Sequence, residues 1–312
     1  MSPRRSEADR RIAAVEAIKA IEAIVCRDVG RSTQAMIAAS AGGLRAAAEA
    51  LAGASAVGLI TGFFVPRGEV AAPETDGPVG TALLAAALAA CRVPARIAVD
   101  TPCAVAVRMA VEATGVDVAV DEVGVDDRAG IDRLIDAWRG AGISHVVAIE
   151  RCGRSGDGRP RNMRGVDVSP WTAPLDDLFV GGPWAKLAVG DGGNEIGMGR
   201  LPAGLIARTV PNGLEIACTT SCDHLVVAGV SNWGAYGLMA ALAVLRADWK
   251  ATIATFLTAE RDLAVTQAIV DKSGAVDGVT ARREATVDGF GPEIHGALID
   301  ELARIAWGQS AD

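Results

Sequence analysis

Arg96–Val120 reads RIAVDTPCAVAVRMAVEATGVDVAV, and within it the texture of the chain switches from strand to helix and back. The short run Arg96–Asp100 predicts a buried strand, Ala104–Ala113 a helix, and Val116–Val120 a second strand. Strand, helix and strand joined by short connections make a parallel βαβ unit. The same alternation continues on both sides. Val57–Val65, bounded by Pro66, predicts a buried strand, and a helix over Gly80–Arg92 follows. Downstream come a helix at Ile131–Arg139 and strands at His145–Ile149 and Ala185–Val189. Short strands near Glu215–Ala217 and at His224–Ala228 precede helices at Trp233–Trp249 and Thr258–Lys272. Gly291–Trp307 predicts a last amphipathic helix capping the sheet. The expected fold is α/β: a doubly wound, mostly parallel sheet with helices on both faces and right-handed crossovers.

Ahead of this rhythm, Ile12, Val15, Ile18, Ile21 and Val25 form a helical stripe within Ser6–Asp28, and Gly30 supplies a stop. A second helix is expected over Ser32–Leu51, weakened in the middle by Gly42–Gly43. Residues 1–55 are therefore expected to form a helical segment packed outside the sheet, clear of its ligand-binding rim, or against a second copy in a homodimer. Residues 56–312 form the α/β domain. The irregular stretch Arg151–Pro174 is long enough to suggest a functional loop.

With 312 residues, 50% hydrophobic and 22% charged, the chain is too apolar to stay disordered. It still contains no apolar run of the roughly 18 residues that a membrane span needs. The net charge is −8, and aromatic residues make up only 4%, with a single Tyr, which argues against a nucleic-acid partner. Six Cys without a C-x-x-C pair suit a reduced, cytoplasmic setting. Met1–Arg11 includes Glu7 and Asp9 and has no apolar core, so neither a secretory signal nor a transit peptide is expected.

Ligands of open α/β sheets bind beyond the carboxyl ends of the strands. That rim carries Thr61-Gly62-Phe63, Glu74-Thr75-Asp76-Gly77-Pro78, Glu150–Arg154, Asn162–Gly165, Gly190–Gly199 and Gly229–Gly234. Gly190 and Gly192 match the start of the dinucleotide fingerprint G-x-G-x-x-G, but Glu195 stands where the third, small residue must pack on the sheet. Two readings stay open for this turn. Its glycines let the backbone approach a small ligand while Asp191, Asn194 and Glu195 supply polar groups, or it is a tight turn with solvated side chains. Asp76 reads as an N-cap with Pro78 in the first turn, a role that leaves Glu74 unexplained. His145 and Cys152 would lie about 20 Å apart on an extended strand, too far to act as a base and nucleophile. Three His without ligand spacing argue against zinc, whereas a hard cation on Asp and Glu fits the rim.

Together with Thr172–Phe179, these motifs resemble the D-glutamate cyclase family, specifically its glutamate cyclase-like C-terminal domain, from about Ile12 to Ile305. The runs GDGGNEIGMG and GVSNWG are the most specific. The vertebrate member carries a further, unrelated N-terminal domain that has no counterpart in these residues. The resemblance implies a hydro-lyase that closes D-glutamate, or a similar acidic amino acid, into 5-oxo-D-proline. It implies Glu150, Asp191 and Glu195 as acid and base, with Asn194, Asn232 and the amides of the glycine turn stabilising the oxyanion. Arg151, Arg154 and Arg164 would bind substrate carboxylates. Thr61, Gly62, Glu74, Asp76, Gly192 and Gly193 would complete the binding site. No cofactor is required, and a divalent cation, Mg or Mn, would sit on Asp191 and Glu195. The rival readings are a regulatory module binding a small molecule or nucleotide, and a hydrolase or hydro-lyase acting on a related acidic substrate. Five carboxylates on one rim favour turnover, because a passive binder of an acidic ligand has little use for them.

Overall fold

The structure, a computed structural model, describes residues 6–67 and 70–308. The opening residues 1–5, part of the stretch read for a leader, lie outside them. In chain order the elements begin with α1 (Glu7–Val25), α2 (Gln34–Ala39) and α3 (Gly43–Leu51). Next come β1 (Val57–Ile60), the strands β2 (Phe64–Arg67) and β3 (Val70–Pro73), α4 (Pro78–Ala90), β4 (Ala95–Asp100) and α5 (Thr101–Thr114). The middle holds β5 (Ala119–Val123), α6 (Arg128–Gly140), β6 (His145–Ile149), α7 (Leu175–Val180) and β7 (Ala185–Gly190). The chain closes with α8 (Leu205–Thr209), α9 (Gly213–Ile216), β8 (His224–Val227), α10 (Ser231–Leu245), α11 (Lys250–Ala254), α12 (Ala259–Ser273) and α13 (Pro292–Trp307).

Six strands form one parallel sheet in the order β5-β4-β1-β6-β7-β8, while β2 and β3 pair separately as an antiparallel ribbon. Both faces of the sheet are buried, and the side chains sort by alternation. Val57, Leu59, Ile97, Val99, Val147 and Ile149 join the core that includes α4, α5 and α10. Ile60, Ala98, Val146 and Ala148 point the other way, toward α6 and α7. The doubly wound α/β sheet expected from the sequence is present.

Helix α10 (SNWGAYGLMAALAVL) is apolar on every side and is buried nearly throughout. A helix of that kind needs cover all round. Alongside α4 and α13, α1 and α3 provide that cover. Only the second half of the α1 stripe does so: Ile18, Ile21 and Val25 are buried, whereas Ile12 and Val15 stay exposed.

The structure corrects several element boundaries. The helix expected over Ser32–Leu51 breaks at Gly42, whose φ of +82° ends α2 and starts α3. Val57–Val65 is two strands, because the chain leaves the sheet after Ile60 to build the β2–β3 ribbon. Glu215 lies in α9 and not in a strand. The strand placed at Val116–Val120 pairs three residues later, over Ala119–Val123, and α10 stops at Leu245 before Trp249.

Candidate active site

From the β1–β6 pair the connections wind outward in opposite directions, so a crevice opens beyond the carboxyl ends of these two strands. A cavity of about 430 Å³ lies there, and Arg31, Glu74, Glu150, Arg164, Asp191 and Asp288 reach its wall.

Two buried carboxylates, Glu150 and Asp191, line it, and a third, Asp76, lies against them. One oxygen each of Asp76, Glu150 and Asp191 lies within 4.8 Å of the others. Glu150 ends β6 in a left-handed conformation, φ +44°, which turns the chain out of the sheet. Gly77 approaches from the next segment with φ +90°. A Cβ there would come within 2.8 Å of both Glu150 Cβ and Thr61 Oγ1, so only glycine fits.

Asp76 does not cap the helix that follows it. It accepts the Ser231 and Asn232 amides, at 2.9 and 2.8 Å, at the start of α10. In return, Asn232 Oδ1 accepts the Gly77 and Gly80 amides at the start of α4, at 3.0 and 2.8 Å. Two helix N-termini are thus capped crosswise, and this interlock sets Asp76 beside Glu150, which accepts a hydrogen bond from Ser231 Oγ at 2.5 Å. Asn232→Ala should therefore cost about 2–3 kcal/mol, since it strands two buried amides. Urea unfolding checks this, and a loss under about 0.5 kcal/mol would contradict the interlock.

Burial, then mutual repulsion, pushes these acids upward. Glu150 is held well above the usual carboxylate range by burial and by Asp191, Glu195, Asp76 and Glu74. Asp76 and Asp191 are raised chiefly by burial too, although Arg31 pulls both back. Glu74 is raised by burial and by Asp288, Asp76 and Asp277, and its carboxylate accepts no hydrogen bond among the described residues. Such a triad of hard oxygen donors, its repulsion only partly relieved by Arg31, suits a hard divalent cation.

Gly192, Asn194 and Glu195 also line the cavity, but their polar groups are engaged within the fold, as are other candidates. Glu195 accepts three backbone amides, Asp191 and Gly192 on Oε1 at 2.9 and 2.5 Å and Gly193 on Oε2 at 2.7 Å. The Glu195 oxygens expected to share a cation with Asp191 are thus occupied by amides, while those of Asp76 and Glu150 lie close to Asp191. The same bonds take the turn's amides away from any oxyanion. Gly193 adopts φ +105° to make this loop. Asn194 Nδ2 donates to the Arg161 carbonyl at 2.8 Å and Asn232 Nδ2 to the Thr75 carbonyl at 3.3 Å, so each side-chain amide already has an acceptor within the fold.

Arg151 is buried, pairs with Asp100 at 2.5 Å and donates to the carbonyls of Gly62 and Ala173. Arg154 pairs with Asp176 and Asp177. Both arginines pin loops rather than face the cavity. Arg164 does line it, exposed and with no ion pair among the described residues. Thr61 lies buried against Gly77, and its hydroxyl has no hydrogen-bond partner among the described residues. Cys152 is buried, and burial pushes its thiol up, while His145 and His224 start their strands at the opposite end of the sheet.

Two site residues escaped the sequence reading. Arg31, from the connector after α1, contacts Asp191 at 3.0 Å and Asp288 at 2.9 Å. The N-terminal segment thus reaches the rim it was expected to leave clear. Asp288 sits in a tight turn closed by Val287 and Phe290. Its only signal in the sequence is the Asp288-Gly289 dipeptide, a common turn pair.

The family described as D-glutamate cyclase-like, C-terminal, matches residues 21–303. The mitochondrial D-glutamate cyclase of Homo sapiens is 43% identical over 107 residues, which are 33% of this chain and 17% of the human protein. The match thus spans well under two thirds of that relative. Among the described residues no helix is long and apolar enough to cross a membrane. Since the family match takes in the whole parallel sheet and every wall of the acidic cavity, the chain belongs to the D-glutamate cyclase-like family.

Proposed function

We propose that this chain cyclises D-glutamate to 5-oxo-D-proline with release of water, as a lyase working in the cytoplasm. The reaction forms a bond between the substrate nitrogen and the carbon of its γ-carboxyl group and breaks one C–O bond of that carboxyl. Of the three ammonium protons, one stays on the ring nitrogen and two leave with the oxygen as water. No oxidant or co-substrate is needed. Because nitrogen and carboxyl are tethered, proximity comes with the substrate. The protein must move protons and make the γ-carboxyl electrophilic.

The observation that carries this reading is the buried Asp76–Glu150–Asp191 triad at the switch point of the sheet. These three residues would hold Mg²⁺ or Mn²⁺, which when bound polarises a carboxyl oxygen. Glu74, buried beside the triad and raised toward neutrality, suits the proton shuttle from nitrogen to departing oxygen. Arg164 at the mouth offers a planar donor to a substrate carboxylate. The six free cysteines suit a reducing compartment.

Purified protein incubated with D- and L-glutamate, its product resolved by chiral chromatography, tests the reading. Product should form faster from the D-isomer, vanish on chelation and return with Mg²⁺ or Mn²⁺. The absence of 5-oxoproline under every metal condition would refute it.

A further inference from the structure

Arg31 lines the cavity in contact with two of its carboxylates, and the fold goes to some length to place it. The Asp28 carboxylate accepts the Gly30 and Arg31 amides at 3.0 and 2.9 Å and the Thr33 hydroxyl at 3.3 Å, which shapes the connector into a fixed turn. From that turn Arg31 spans the gap between the end of β7 and the C-terminal segment.

That C-terminal segment is equally fixed. Asp277 accepts the amides of Val279, Thr280 and Gly289, and the Thr75 hydroxyl donates to the Thr286 carbonyl at 2.8 Å. Asp288 emerges from this frame with its side chain 9% exposed. Its Oδ2 lies in ionic contact with Arg31 at 2.9 Å and has no further partner among the described residues. Beside it stands Glu74, whose carboxylate likewise accepts no hydrogen bond among the described residues. A guanidinium and two underused carboxylates therefore share one wall of the cavity.

One guanidinium set between two nearly buried carboxylates ties the two segments of the wall together. It also matches one ligand chemistry. The α-end of an amino acid carries an ammonium and a carboxylate on a single carbon and has no net charge. It can meet an Arg–Asp pair head to tail, so that every charge keeps an opposite neighbour. We propose that Arg31 and Asp288, with Glu74, form the subsite for the α-ammonium carboxylate of the substrate. Arg31 takes the carboxylate, and Asp288 and Glu74 take the ammonium. The γ-carboxyl is then left to the triad, and the ammonium lies next to the proton shuttle. This assignment rests on the reading above that the substrate is an acidic amino acid.

The test is a binding crossover, measured by calorimetry on the full chain without turnover conditions. The probes are D-glutamate, glutarate, which lacks the amine, and 4-aminobutyrate, which lacks the α-carboxylate. The variants are Asp288→Asn, chosen because Asn tolerates the φ of +56° at this position, and Arg31→Lys, which keeps the charge and loses the planar fork. Asp288→Asn should weaken D-glutamate and 4-aminobutyrate about tenfold or more and leave glutarate unchanged. Arg31→Lys should weaken D-glutamate and glutarate and leave 4-aminobutyrate unchanged. If a variant fails to fold, the wild type still decides. Both analogues should bind it at least tenfold more weakly than D-glutamate, and equal binding of all three would overturn the subsite.

Loss of all three probes to the same extent in either variant would also overturn it. Wild-type turnover separates this proposal from the one before. A crossover without 5-oxoproline would retain the subsite and remove the cyclisation. Cyclisation without a crossover would do the reverse.

Discussion

Glu150→Gln should melt higher than the wild type at pH 8 in the absence of divalent cation, and its kcat for D-glutamate should fall about 100-fold or more. The two effects have one origin. Glu150 is buried among four other acids, so its folded-state pKa lies well above the value it has in the unfolded chain. A raised acid favours folding most below its unfolded pKa, and that contribution is lost as pH rises through the folded value. At pH 8 the wild type bears the cost of an ionised Glu150 or of holding its proton. Gln bears neither, keeps an oxygen for the Ser231 hydroxyl and relieves Asp76 and Asp191. Each pKa unit is worth about 1.4 kcal/mol, so the stability gap should widen between pH 5 and pH 8. Thermal melts across that range, beside initial rates, measure both. A variant that melts lower at pH 8, or that keeps near-wild-type turnover, would contradict the triad's role.

Glu195→Gln, four residues from Asp191 in the same turn, should behave in the opposite way. It should lose about 3 kcal/mol of stability and most of its activity. The carboxylate is an acceptor at both oxygens, and all three of its partners are donors. The Gln amide would turn an NH₂ group toward the Gly193 amide, removing a charge-assisted bond and leaving a buried donor unsatisfied. The turn that carries Asp191 would then loosen. Asp191→Asn, whose neighbours include Arg31 and other acids rather than a ring of amides, should fold normally. Urea unfolding of the two variants side by side checks the contrast. Equal stability would mean that the amide ring around Glu195 is not what shapes the turn.

The contrast between these two acids marks what the sequence could convey. The parallel sheet was legible because its strands are buried on both faces, which leaves short β-branched runs separated by helices. The rim followed from the sheet, and with it Glu74, Glu150, Asp191 and Arg164 at the cavity. The roles of the remaining polar residues were not legible, because their partners are remote or depend on backbone geometry. Arg151 looks like a clamp until Asp100 is brought against it. Asp76 looks like a local cap until α10 arrives from 155 residues away. Glu195 looks like a catalytic acid until the turn curls its amides onto it. Arg31 meets its partners across 160 and 257 residues, contacts that no local pattern announces.

The most direct test of the central claim, that the acidic cavity closes D-glutamate by losing one γ-oxygen, is isotopic. D-glutamate carrying ¹⁸O at both γ-oxygens is given to the wild type and to Glu150→Gln, and the product is weighed by mass spectrometry at early times. The wild type should yield 5-oxo-D-proline retaining one ¹⁸O in the ring carbonyl, and the variant should yield almost none. Product without label, or equal product from both proteins, would contradict the account.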